Sequence, residues 1–132
     1  MRTKWLSTVL LGLSAVVAGA DAPSPARLQM EGFLAAFNSG DRAKIEAFGR
    51  EHMPPDFLRA AVLDDTMKMF EASGGLDVIR VEESGPHALR GEVRERKTSK
   101  VQQMGVQVNP EQPSRITLLA FTGGPENLEG PK

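Results

Sequence analysis

The stretch from Leu76 to Phe121, LDVIRVEESGPHALRGEVRERKTSKVQQMGVQVNPEQPSRITLLAF, decides the fold. It divides into four segments of alternating apolar and polar residues: Leu76–Glu83, His87–Arg96, Val101–Val108 and Arg115–Phe121. The breaks are Ser84-Gly85-Pro86, Lys97-Thr98-Ser99-Lys100 and Asn109-Pro110-Glu111-Gln112-Pro113. Strand-like alternation punctuated by Pro, Gly and polar residues predicts an antiparallel meander. Side chains alternate along a strand, so a slip of one residue turns every side chain to the other face. A second hairpin centred on Thr98-Ser99 sets Leu89 against Val108, Gly91 against Val106 and Val93 against Met104. The other face then carries Arg90, Glu92 and Arg94 with Gln107, Gly105 and Gln103. Continuing this register puts Ile116, Leu118, Ala120, Ile79 and Val81 on the apolar face. Leu119 and Phe121 fall on the polar face, where they suggest a docking surface for a second copy or another domain.

Upstream, the apolar period lengthens to that of a helix. Ser24 caps a helix begun by Pro25, with Met30, Phe33, Leu34 and Phe37 on one stripe and Asn38-Ser39-Gly40 as its end. Asp41 caps a shorter helix carrying Ile45 and Phe48 and ending near His52, ahead of Pro54-Pro55. A third starts at Pro55 or Asp56, carries Leu58, Ala61, Val62, Met69 and Phe70, with Leu63 and Met67 nearby, and stops at Ser73-Gly74-Gly75. Three helices followed by a four-stranded meander predict an α+β fold, with the helices packed on the apolar sheet face. Gly91 and Gly105, mid-strand on neighbouring strands, permit strong bending. A bent sheet over helices makes a cone, and a cone implies a cavity.

The 132 residues suffice for one domain with its own core. The N-terminus has the pattern of an export signal. Arg2 and Lys4 precede an apolar run, Leu6–Val17, and the small residues Ala18-Gly19-Ala20 form a cleavage site. The expected organisation is a signal peptide over 1–20, a leader over 21–24, the α+β domain over 25–122 and a Gly/Pro/Glu-rich tail over 123–132. The run is short for a membrane span, which needs about 20 apolar residues, so no stable insertion is expected after cleavage. The expected address is periplasmic or secreted. Removing 1–20 takes away Arg2 and Lys4 and no acid. That leaves 14 basic against 17 acidic residues, a net charge of −3. The basic residues Arg90, Arg94, Arg96, Lys97 and Lys100 share one hairpin. Glu92 and Glu95 interrupt them and no aromatic residue interleaves to stack bases, so nucleic acid is not an expected partner.

Cysteine and tyrosine are absent. Disulfides, thiolate metal sites and cysteine nucleophiles are thereby excluded. His52 and His87 are the only histidines, and neither lies in a close His/Asp/Glu pattern that could supply the roughly four ligands of a zinc site, so no metal is expected. Asp64-Asp65 diverge on a helix and Glu82-Glu83 point to opposite faces of a strand. No phosphate loop, nucleophile elbow or Ser-x-x-Lys box occurs, so no cofactor and no catalytic set is assigned. Two residues stand as ligand-binding candidates: His52, near the end of the second helix, and Glu95, which the register turns toward the apolar face opposite Gln102.

The segment Phe33-Leu34-Ala35-Ala36-Phe37-Asn38-Ser39-Gly40-Asp41 resembles the start of the cone-shaped α+β superfamily of nuclear transport factor two, ketosteroid isomerase and the SnoaL-like proteins. Gly74-Gly75-Leu76 and Arg94-Glu95-Arg96-Lys97 resemble one subgroup, in which such a module lies between an export signal and a hydrolase. That hydrolase is a serine β-lactamase-like enzyme or a tail-specific protease. The resemblance implies a pocketed or docking domain and carries no hydrolase activity onto this chain. Isomerase chemistry of this kind needs a carboxylate base with a Tyr and a protonated Asp, and tyrosine is missing. The leading expectation is an exported, non-catalytic module binding a small apolar ligand, a second copy of itself or a separate envelope hydrolase. The alternative is a small SnoaL-like isomerase or hydrolase using His52 or a pocket carboxylate.

Overall fold

A computed structural model describes residues 22–123. The expected signal peptide and nearly all of the expected tail lie outside them. Three helices pack on one face of an open four-stranded antiparallel sheet, an α+β arrangement. Among the described residues the helices are α1 (Pro25–Asn38), α2 (Arg42–His52) and α3 (Ala60–Ser73), with one 3₁₀ turn at Pro55–Leu58. The strands are β1 (Leu76–Glu83), β2 (Ala88–Glu95), β3 (Val101–Asn109) and β4 (Gln112–Thr122), neighbours in chain order.

The helix ends follow from capping. Ser24 Oγ accepts the Arg27 N–H at 3.1 Å, and Asp41 Oδ1 accepts that of Ala43 at 2.9 Å. Gly74 closes α3 in the left-handed region at φ 73°. The third helix begins later than its sequence suggests. Phe57 seats its ring against Gly49 of α2, the 3₁₀ turn ends there, and the extended backbone of Arg59 separates it from α3. Within α3, Leu63 is buried and Ala61 is exposed.

The second hairpin is closed by four residues, not two. Glu95 N–H donates to Lys100 O at 2.8 Å, Ser99 N–H donates to Glu95 O at 2.9 Å, and Ser99 takes φ 65°. A two-residue primed turn of type I′ needs positive φ at both central residues, which suits β-branched Thr98 poorly; the longer loop needs it only at Ser99. Leu89 therefore pairs with Val106, Gly91 with Met104 and Val93 with Gln102, two residues from the expected register. A slip of two preserves the faces, so Leu89, Gly91, Val93, Met104, Val106 and Val108 are all buried.

The edge strands depart further, because each contains a bulge. In β4 the pairing shifts between Val108–Ile116 and Gln107–Leu118, leaving Thr117 as the extra residue; its hydroxyl donates to Gln107 O at 3.3 Å. Beyond the bulge every side chain changes face. Leu119 and Phe121, expected on the outer face, instead pack with the core, and Leu118 and Ala120 are exposed. In β1 a shift at Ile79 does the same: Leu76 is buried, Ile79 is exposed, and Val81 still faces inward. The space between the layers, expected to hold a cavity, contains Met30, Phe33, Phe37, Ile45 and Met104, all at most 3% exposed. Phe33 lies 5.8 Å from Phe37 and 6.2 Å from Phe121, ring centre to ring centre.

Candidate functional site

The sequence motifs that carried the resemblance meet in space. Asn38 Nδ2 donates to Leu76 O and Asn38 Oδ1 accepts from Leu76 N, each at 2.9 Å. One side-chain amide thus satisfies both backbone polar groups at the start of β1, as a neighbouring strand would. Gly40, at φ 69°, lies under the Phe70 ring, where an added Cβ would be 2.7 Å from the ring edge. The tip of the β2–β3 hairpin docks on the end of α3. Lys97 N–H donates to Ser73 O at 2.8 Å, Arg96 N–H to Gly75 O at 3.0 Å and Lys97 Nζ to Glu71 O at 2.7 Å. A cation at those last carbonyls suits the negative end of the helix dipole. Arg96 also donates from Nε and Nη2 to Asp77 Oδ1, at 3.0 and 2.8 Å. That hydrogen bond, helped by the charges of Arg96 and Arg94 and opposed by slight desolvation, holds the Asp77 carboxyl below its usual range and raises Arg96. Asn-x-Gly-Asp, Gly-Gly and the charged hairpin are therefore parts of one latch between helices and sheet.

The two sequence candidates lie at opposite ends of β3. His52 stacks on Phe48 at 4.6 Å, its Nδ1 is 2.7 Å from Ser114 O at the start of β4, and its Nε2 is 3.5 Å from Glu51 Oε1. It ties the end of α2 to the sheet, beside the Arg115 bond to Glu51 O. Glu95 accepts from Thr98 Oγ1 and Gln102 Nε2, both at 2.5 Å, and so braces its own hairpin. The two side chains do not converge. Among the described residues no three His, Asp or Glu side chains cluster to hold a metal ion, and no helix is long and apolar enough to cross a membrane.

Comparison with known proteins adds no relative. No family model, curated protein or solved structure matches this chain.

Among the described residues, two adjoining open concavities lie on the outer face of the sheet, away from the helices. One, of about 510 Å³, is lined by Glu82, Ala88, Arg90, Gly105, Gln107 and Leu118 among others. A second, of about 270 Å³, adjoins it and adds Gln103, Ala120 and Thr122. Arg90 and Gly105 line both. An added Cβ at Gly105 would meet nothing within 4 Å, so this glycine leaves open space in the middle of the face. Gly91, its neighbour on β2, instead faces inward, where a Cβ would lie 3.6 Å from Met30 Sδ. The outer face is divided by charge. The β1–β2 half carries Asp77, Arg80, Glu82, Arg90, Glu92 and Arg94, with Arg80 and Gln103 both 3.3 Å from Glu92 Oε2. The β3–β4 half, with Gln103, Gly105, Gln107, Leu118, Ala120 and Thr122, is uncharged. Sequence patterning gives Arg90 only as one of five basic residues on a hairpin. Its place beside an open glycine depends on cross-strand pairing, and only the outward parity of Gly105 hinted at it.

Proposed function

We propose that this chain is an exported, non-catalytic docking module whose outer sheet face receives a second protein. The observation that carries the reading is the pair of adjoining concavities across Gly105, on a face with exposed Leu118 at one side and a charged rim at the other. The uncharged, partly apolar β3–β4 half offers the charge-depleted area of a protein interface, and the charged β1–β2 half gives it a polar border on one side. The polar atoms of His52 and Glu95 are engaged in holding the fold, which weighs against the isomerase or hydrolase alternative. The packed interior likewise weighs against a small apolar ligand between the layers. The expected export signal and the resemblance together favour an envelope serine hydrolase as the partner.

Gly105→Lys is the test, because a Cβ there meets nothing within 4 Å and the rest of the side chain extends over the concavity. Titration calorimetry would use purified serine β-lactamase-like hydrolases and tail-specific proteases exported by the same organism. The expected result is binding by wild type, weakened at least tenfold by Gly105→Lys at unchanged circular dichroism. Absence of binding by wild type, or equal binding by both proteins, would reject the reading.

A further inference from the structure

The two free edges of the sheet are not equivalent. The β1 edge is guarded: Leu76–Glu83 carries Asp77, Arg80, Glu82 and Glu83 and is broken by the bulge at Ile79. Charges and bulges are the usual devices that stop a sheet edge from pairing with another chain. At the other edge, Ile116–Thr122 has no charged residue and no proline. Pro113 lies near the start of β4 and the bulge at Thr117 in its middle; beyond the bulge Leu118–Thr122 pairs with Gln107–Gln103 without interruption. Among the described residues no strand or helix pairs with its outer side.

We propose that a second copy of this chain adds to that edge, β4 against β4 in antiparallel fashion, about a two-fold axis at Ala120. The five regular residues are self-complementary in that register. Leu119 of one copy lies against Phe121 of the other on the helix side, covering apolar residues that one copy leaves only partly buried. Leu118 lies against Thr122 on the outer side, and Ala120 meets its own equivalent. No charged residue opposes another within the paired segment, so two net-acidic chains meet where neither carries charge. The outer concavities of both copies, which reach Leu118, Ala120 and Thr122, then border one seam. A strand pair this short buries less than the roughly 1,600 Å² of a standard interface, so the dimer is a weak one that forms at high concentration. The pairing itself uses the backbone of the sheet edge, while Leu118, Ala120 and Thr122 border both the edge and the outer face.

The chain has no cysteine, which permits a direct test. Residues opposite one another in an antiparallel pair have Cα atoms about 4.5–5.5 Å apart, within the ~4.4–6.8 Å range that a disulfide spans. Under mild oxidation, Ala120→Cys should form a disulfide-linked dimer at least tenfold faster than Ala61→Cys on the exposed side of α3. Sedimentation velocity over a concentration series should show wild type dimerising and Ala120→Lys remaining monomeric at the same melting temperature. A wild type that stays monomeric throughout, a dimer that survives Ala120→Lys, or equal crosslinking at the two positions would overturn the proposal. Calorimetry with Gly105→Lys reports on the face whatever happens at the edge.

Discussion

At the scale of single residues, Asn38 is the side chain whose chemistry is hardest to replace. Its amide donates to one Leu76 backbone group and accepts from the other. Asn38→Ala leaves both unpaired, and each unsatisfied buried group costs about 1–3 kcal/mol. Urea unfolding should show a loss of at least about 1 kcal/mol. Asn38→Asp should be no better, since a carboxylate cannot donate to the Leu76 carbonyl. The two mid-strand glycines give a second residue-scale contrast, because they face opposite sides. Gly105→Val adds a β-branched side chain over open space and removes backbone freedom from the unfolded chain. It should be neutral or stabilising by up to about 1 kcal/mol. Gly91→Val drives its methyl groups toward Met30 and the Arg80 carbonyl and should cost about 1–3 kcal/mol. Equal effects at the two positions would contradict the assigned faces.

At the scale of elements, the bulge in β4 decides which side chains the helices cover. Phe121→Lys puts a charge beside Phe33 and should lower the thermal midpoint strongly. Leu118→Lys, on the exposed side, should change stability by no more than about 0.5 kcal/mol. The reverse ranking would restore the register without a bulge. The latch between α3 and the β2–β3 hairpin has a pH signature through Asp77 and Arg96. Asp77 has a folded pKa below its unfolded one, so its contribution is present above the unfolded value and is lost as pH falls through the folded value. Arg96 is raised from an already high value and stays charged across this window. Stability measured from neutral to strongly acidic pH should therefore fall less steeply in Asp77→Asn than in wild type. Solvent exposure of the pair keeps the difference small, and raised salt should narrow it.

At the scale of the whole molecule, the fold class and the helix limits other than the start of α3 were legible in the sequence, and the candidate site was not. If residues 1–20 are removed on export, the mass of the secreted protein will begin at Asp21; a start at Met1 or Pro23 would displace that boundary. Periodicity separated helix from strand because 3.6 and 2 leave different apolar patterns, and Ser24, Asp41 and Gly74 marked helix ends by local backbone chemistry that needs no distant partner. The inner faces of β2 and β3 were also legible, since a register error of two leaves facing unchanged. Those of β1 and β4 were legible only on one side of each bulge, at Val81 and Ile116, because a bulge depends on cross-strand bonding that alternation cannot reveal. His52 and Glu95 looked available only while their partners, Ser114 across 62 residues and the donors of the folded hairpin, were unknown. That three helices cover a meander could be read from the residue order, because burial patterns and caps are local. Which face of each edge strand is covered, that Asn38 completes β1, and that the open space lies over Gly105 emerged only in the folded chain, because each depends on residues brought together from distant positions.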